Sequence, residues 1–417
     1  MPQLKHLNGS SQTIHSAVSD YFGFQNYVLG EDEKGVPLYW HWDDHGRTAK
    51  ICASLGAGGF TKLRQGALAR IVMHAHFEAL GASRPIHYSR SKSAKHWNFP
   101  HIKKRPFYSY GLIIPAVDFL ETHGLIHSQK GLSGTFGRQS EFRATYRLIA
   151  NLASQPFRML APDNPLILRN AENDELEIPN NRKSERMAKR VDAQNQLILG
   201  TKFTASPELR SPVRRIFRHD MQHLGRFYAV GASWQTVNNN TRKLIQIEGQ
   251  QTTYLDYSGC NVNIAYRLIG KNPPDNPYRC DNFSRSDSKL ALMILLNAKD
   301  KAEAIRALAH HSDFTGKGSN DLLVLRYDAD FLISELELRH MPLGEAKMFF
   351  GSGLSLMRTE SDIADKVMSE LRGLGIVALP IHDGFMVKIE HKAKLLESMI
   401  ENSRINSGPP IPVSEVF

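Results

Sequence analysis

The sequence predicts an α+β chain with an antiparallel sheet in its C-terminal half, and three observations carry that reading. A β-rich run, Thr252 to Tyr257, passes directly into a helical pattern at Val262, Ile264, Ala265, Leu268 and Ile269. Two β-type runs around Ile376 to Ile381 and Phe385 to Val387 are joined by the tight polar turn His382-Asp383-Gly384, the pattern of a hairpin. Between them lies an apolar helical stretch, Arg285 to Ala298. At 417 residues the chain exceeds one hydrophobic core, so two or three domains are expected. Composition divides it into 1–60, a helical domain over 61–160, a polar stretch over 161–211 and a motif-bearing region over 212–417.

Composition narrows the class. Hydrophobic residues make up 41% and charged residues 23% of the chain, as in folded soluble proteins, and no apolar stretch approaches the roughly 18 residues needed to cross a bilayer. The first residues lack the pattern of a secretory signal, so a cytoplasmic location and no membrane partner are expected. Cys52, Cys260 and Cys280 are odd in number and widely spaced, which predicts reduced thiols. A net charge of +10 favours a polyanionic partner, because each cation meeting a phosphate releases a counterion.

In chain order, the aromatic and acidic run Tyr39 to Asp44 reads as a strand and turn without a motif. From Phe60 to Leu80, Leu63, Leu68, Ile71, Val72, Phe77 and Leu80 recur at helical spacing, predicting an amphipathic helix. Ile113, Ile114, Val117 and Leu120 mark a short helix with Pro115 near its first turn and Gly124 as its stop. Strands at Leu125 to His127 and Ser140 to Tyr146 follow, separated by a Gly/Ser-rich loop from Lys130 to Gly137. Helix, strand, glycine loop, strand is the order of a winged-helix module, and Lys103, Lys104, Arg138 and Arg143 would offer it to duplex phosphates. Arg182 to Arg190 is rich in basic residues and reads as a solvated linker or an exposed helix, with a phosphate-tracking role as the alternative.

The chemistry concentrates after residue 212. Asp256 stands at a strand-to-helix junction and Asp383 at a hairpin tip. Two carboxylates on neighbouring strands are what a two-metal phosphoryl-transfer site requires: Mg²⁺ ions (Mn²⁺ as a substitute) about 4 Å apart activate a 3′-hydroxyl and neutralise a leaving pyrophosphate. Read as a helix, Arg285, Lys289, Met293 and Asn297 share one face, since residues four apart are neighbours. Arg285 and Lys289 would grip nucleotide phosphates, and Met293 would pack on the sugar or base.

This order of carboxylate strand, R-x-x-x-K helix and His-Asp hairpin resembles the family A DNA polymerases and the single-subunit phage-type RNA polymerases. Asp256-Tyr257-Ser258 matches their first palm motif, Arg285, Lys289 and Met293 their finger helix, and His382-Asp383 their last palm motif. Gly225-Arg226-Phe227-Tyr228-Ala229-Val230 resembles a template-side segment of the RNA polymerases, and Thr359 to Lys366 the helix preceding their hairpin. The resemblance spans roughly residues 215–400. It implies a right-hand palm with helical fingers, with 161–211 as linker or thumb-like helices. It implies Asp256, Asp383 and Tyr257 at the metals, Asp256, Asp383 and Lys289 in catalysis, and Arg226 and His382 on template or primer. DNA template, primer and dNTPs (or NTPs) would be the partners, with a helicase or other replication protein assisting.

Three positions depart from the family pattern, the first two bearing on the sugar and the last two keeping a non-catalytic reading open. Asn261 stands where the DNA polymerases carry a glutamate that blocks a ribose 2′-hydroxyl and the RNA polymerases a glycine, Asn297-Ala298 replaces Tyr-Gly, and Gly384 replaces Glu or Ser. Asn261 is bulky enough to gate the sugar and can also hydrogen-bond a hydroxyl. The expected activity is DNA-directed DNA synthesis without proofreading, since no second set of paired carboxylates precedes the palm. A primase or RNA polymerase is the alternative, and a non-catalytic winged-helix replication initiator is a second.

Overall fold

The computed structural model describes residues 36–39, 42–43, 46–80, 84–92, 97, 107–131, 139–152, 158–206, 209–319 and 321–417. The chain forms two compact units, one comprising Met1–Asp163, Ser206–Pro212 and Ala229–Asn239, the other Asn164–Ala205, Val213–Tyr228 and Asn240–Phe417. Helices and mainly antiparallel sheets make an α+β structure. No helix among the described residues is long and apolar enough to cross a membrane.

The first unit contains β1 (Val36–Pro37), β2 (Trp42–Asp43), α1 (Thr48–Ser54), α2 (Lys62–Leu80), β3 (Ile86–Tyr88), α3 (Tyr110–Thr122), β4 (Ile126–Gln129), β5 (Ser140–Ala144), α4 (Tyr146–Leu152) and β6 (Arg158–Met159). Its sheet runs β1-β3-β5-β4, and β2 pairs with β6. α2 departs from the expected amphipathic helix. Ala67, Leu68, Ala69, Ile71, Val72, Met73, His74, Ala75 and His76 are all buried, while Leu63 and Leu80 at its ends are exposed. Small residues let neighbours close on every side: a Cβ on Gly66 would overlap the Phe107 ring.

The expected helix–strand–strand order is present, with shifted boundaries. Ser109 is extended and α3 begins at Tyr110, which puts Pro115 in the second turn. β5 stops at Ala144 because Thr145 starts a new helix, its Oγ1 accepting from Leu148 N at 3.4 Å. Arg143 lies on β5 opposite His127, half-buried. Lys103, Lys104, Arg138 and most of the expected wing lie outside the described residues.

Burial also sets the pH response of this unit. His76 is 6% exposed, and burial lowers its imidazole pKa to about 4. The unfolded chain therefore binds a proton between about pH 4 and 6.5 that the folded chain does not, so stability is lost as pH falls through that window. In urea titrations at pH 4.5 and 7, His76→Leu is expected to shrink the acid-induced loss. An unchanged difference between the two pH values would remove His76 as its cause.

The second unit opens with β7 (Leu166–Arg169), β8 (Glu175–Leu176) and α5 (Arg182–Gly200). Asn181 caps α5 by accepting from Lys183 N and Ser184 N, and Met187, Val191, Gln194, Asn195 and Ile198 bury its inner face. β9 (Phe203–Ala205), β10 (Val213–Arg218), β11 (Asp220–Ala229), β12 (Gln246–Ile247) and β13 (Gln250–Tyr257) follow. Next come α6 (Cys260–Leu268), α7 (Arg285–Asn297), α8 (Lys301–Ala309), α9 (Leu322–Arg339), α10 (Gly353–Gly373), β14 (Leu379–Ile381), β15 (Gly384–Lys388), α11 (Lys392–Asn402) and β16 (Val413–Glu415). Strands β11-β10-β7-β8 form one sheet, and β14-β15-β13-β12-β9 another, with β16 also on β13. β13 is buried on both faces from Thr252 to Leu255, which suits its β-branched and aromatic residues.

Candidate active site

β13 and β15 pair antiparallel with Leu255 opposite Phe385 and Asp256 opposite Gly384. β14 and β15 close on the pair Ile381–Gly384, which leaves His382 and Asp383 as a two-residue turn. His382 takes a φ of 54° in the first turn position, a conformation hairpin turns require and His tolerates better than most side chains. The register therefore delivers Asp383 beside Asp256, two carboxylates 127 positions apart in sequence brought together by one strand pair.

Gly384 makes that approach possible. A Cβ there would stand 2.5 Å from the Tyr254 ring, 2.6 Å from the Leu255 carbonyl oxygen and 2.7 Å from Asp256 Oδ1. The residue after the hairpin aspartate must lack a side chain in this chain, which accounts for the departure from Glu or Ser.

The site is electrostatically strained. Burial, then the charge of Asp383, pushes the Asp256 carboxyl up to about 7, and the Lys289 ammonium opposes the shift. Asp256 Oδ1 is buried, and the Tyr254 hydroxyl neighbours the carboxyl. Glu360 on α10 is 2% exposed and belongs to the same field. Arg226 holds it with a fork of two bonds, Nε to Oε1 at 2.7 Å and Nη2 to Oε2 at 2.6 Å. Burial, with a contribution from the Asp383 charge, pushes Glu360 up to about 7 against the pull of Arg226, whereas the Glu360 carboxylate raises the Arg226 pKa. The two-pronged geometry around a guanidinium that does not deprotonate favours the charged pair at neutral pH.

The local backbone explains how Arg226 gets there. Leu224 and Gly225 both have positive φ, 65° and 68°, which interrupts β11 just before Arg226. A Cβ on Gly225 would stand 2.8 Å from Ser361 Oγ and 2.9 Å from the Phe217 ring, so glycine lets β11 lie against α10. Arg226 is thus held against Glu360. Tyr228, two residues on, stacks edge-to-face on His382 at 6.2 Å.

α7 starts where Ser284 Oγ accepts from Asp287 N. Arg285, Lys289, Met293 and Asn297 are all exposed along one side, while Ala291, Leu292, Leu295 and Leu296 are buried on the other. Arg285 lies over the Tyr278 ring at 5.1 Å. Asn297 makes its contacts within the protein. Its Nδ2 donates to Met293 O at 2.7 Å, and its amide packs on Gly353 so closely that a Cβ there would overlap it. The amide joins the end of α7 to the start of α10.

The Tyr257 side chain points to the face opposite Asp256, and its hydroxyl donates to Met399 O at 2.7 Å. Asn261 sits in the first turn of α6, half-buried, and its Oδ1 is buried with no hydrogen-bond partner. Two residues near the carboxylates carried no weight in the sequence. Tyr278 is 6% exposed, its hydroxyl pKa is raised by burial, and Asp383 contributes in the same direction. Glu360 had a readable signal: it occupies a position among Leu356, Ile363, Ala364 and Val367, on the apolar side of α10. No protein-family model matches this chain, and no curated protein does.

Proposed function

We propose that the protein is a template-directed nucleotidyltransferase, most simply a DNA-directed DNA polymerase without proofreading, with the β13–β15 carboxylates as its catalytic centre. The observation that carries the proposal is the pairing of Asp256 against Gly384, which sets Asp383 beside the buried Oδ1 of Asp256. Such an oxygen is costly unless something positive meets it. The donor chemistry fits Mg²⁺, and Mn²⁺ as a substitute. Among the described residues no group of three or more His, Cys, Asp or Glu side chains is arranged for a metal, but Mg²⁺ commonly takes only one or two carboxylates and completes its shell with water and substrate phosphates. Asp256 and Asp383 would hold the ions, which when bound supply activation of the 3′-hydroxyl and charge neutralisation at the leaving pyrophosphate.

The chain's own residues do the rest. Lys289 and Arg285 present two cations on the exposed side of α7 for the phosphates of an incoming nucleotide, and Met293, 46% exposed, offers an apolar surface one turn further on. Arg226 and Glu360 brace α10 against β11 and add their field to that of the carboxylates. His382 and Tyr228 form an aromatic edge beside the turn, suited to the primer terminus.

The sugar specificity turns on Asn261. Its bulk supports exclusion of a 2′-hydroxyl, whereas its buried and unsatisfied Oδ1 favours the alternative, an RNA polymerase or primase, because a ribose hydroxyl could donate to it. Extension of a labelled primer on a DNA template with Mg²⁺, with dNTPs alone, NTPs alone and no primer, decides between them. Growth with dNTPs only is expected. Growth with NTPs would transfer the assignment, and absence of growth under every condition with duplex binding intact would leave a non-catalytic DNA-binding protein.

A further inference from the structure

A second feature of the same unit lies between α5 and α10. Lys183, Arg186, Met187 and Arg190 recur at i, i+3, i+4 and i+7 on one face of α5, and with Arg358 and Asp362 of α10 they line a cleft of about 250 Å³. Beneath it the charges are paired. Arg215, fully buried, donates to Asp362 at 2.7 Å and to Asp365 at 3.2 Å, Arg190 donates to Asp365 at 2.8 Å, and Arg358 pairs with Asp362. Three guanidinium groups thus already share two carboxylates. Lys183 and Arg186 at the mouth are exposed and take part in no ion pair among the described residues. Five cations face two anions, a net of three positive charges around a concave site floored by the buried Met187.

We infer that this cleft binds the sugar–phosphate backbone of a nucleic-acid strand. A concave surface with an uncompensated positive charge attracts and concentrates a polyanion. The Arg186 guanidinium and the Lys183 ammonium at its mouth, outside the ion pairs at the base, are the groups to meet phosphate oxygens, and the absence of a deep apolar wall leaves no pocket to read a base. α10 carries Glu360 toward Arg226 and Arg358 toward the cleft, so a strand held here would run along the helix that also buttresses the candidate active site. The identity of the polyanion rests on the nucleic-acid reading above; the anion site itself does not.

The test compares wild type, Lys183→Glu/Arg186→Glu, and a charge-matched control, Lys271→Glu/Lys299→Glu, in which both altered lysines are exposed and outside the cleft. Anisotropy of a labelled DNA strand is measured across 50–200 mM salt, with melting curves to verify folding. The cleft variant is expected to lose at least roughly tenfold in affinity and about two units of the log–log salt slope, while the control retains its slope. A milder pair, Lys183→Ala/Arg186→Ala, should lose about half as much if the cleft is the site. Equal losses in cleft variant and control, or none in either, would overturn the inference. Inorganic pyrophosphate, tested alone by thermal shift and as a competitor, separates the sources: saturation and full displacement of DNA at micromolar pyrophosphate would make this a small-anion site and overturn the backbone assignment. Primer extension by wild type, run in parallel, keeps the two readings apart. Cleft-dependent binding without extension sinks the polymerase alone, and extension without cleft dependence sinks the cleft alone.

Discussion

Asp256→Asn and Asp383→Asn are each expected to lower nucleotide incorporation by about 1,000-fold or more while leaving primer–template affinity and folding intact. The size follows from what each carboxylate is asked to do. Holding a metal at the reacting phosphate stabilises the transition state by several kcal/mol, and each 1.36 kcal/mol is about tenfold in rate. The substitution keeps shape and removes charge, so it tests electrostatics rather than packing. It also makes a stability prediction opposite in sign to that of an ordinary buried residue. Asp256 and Asp383 repel each other in a partly buried site, and neutralising one relieves the repulsion, so the melting temperature without divalent cations should stay level or rise. Activity above a tenth of wild type in either variant would remove the carboxylates from the mechanism. A large drop in melting temperature would instead mark the pair as structural.

Gly384→Ser is the second large effect, and it sets the structure against the resemblance. In the polymerases that the motif order resembles, the residue after the hairpin aspartate is Glu or Ser, which by itself would predict tolerance. Here the new Cβ would stand within 2.7 Å of a ring, a backbone carbonyl and the Asp256 carboxylate. The Leu255 carbonyl belongs to β13, paired on both edges by β15 and β16, and cannot retreat without breaking the ladder. A cost of about 2–4 kcal/mol is expected, measured as a fall in the urea midpoint. Synthesis should fall further than stability explains, because the strand that shifts carries Asp256. Gly373→Ala is the matched control: nothing lies within 4 Å of a Cβ there, at the end of α10, and it should be neutral or mildly stabilising. Equal behaviour of the two variants would show that the close strand approach is unimportant.

These expectations show how unevenly the site was written in the sequence. The His382-Asp383 hairpin and the shared face of Arg285, Lys289 and Met293 were readable because each is decided within about a dozen residues, by a period of two or of 3.6 and by turn chemistry. Arg226 was visible as part of a motif, yet its partner was not, since Glu360 lies 134 positions away and the pair depends on β11 bending at Leu224 and Gly225 to meet α10. Asn297 follows the same logic: its place on the helix is readable, but the packing of its amide on Gly353 of another helix is not.

The sequence by itself determined the α+β class, the positions of the two aspartates on adjoining β-type runs and the cationic side of α7. Those are properties of local backbone preference and hydrophobic period, which neighbours along the chain impose. Only the tertiary structure decided that α2 is buried on nearly all sides, that Tyr257 turns its phenol to Met399, that Gly384 must be glycine, and that α5 and α10 enclose a basic cleft. Each of these depends on which atoms from distant segments compete for one volume, and close packing settles that competition within tenths of an ångström, a scale no pattern of residue types along one segment encodes.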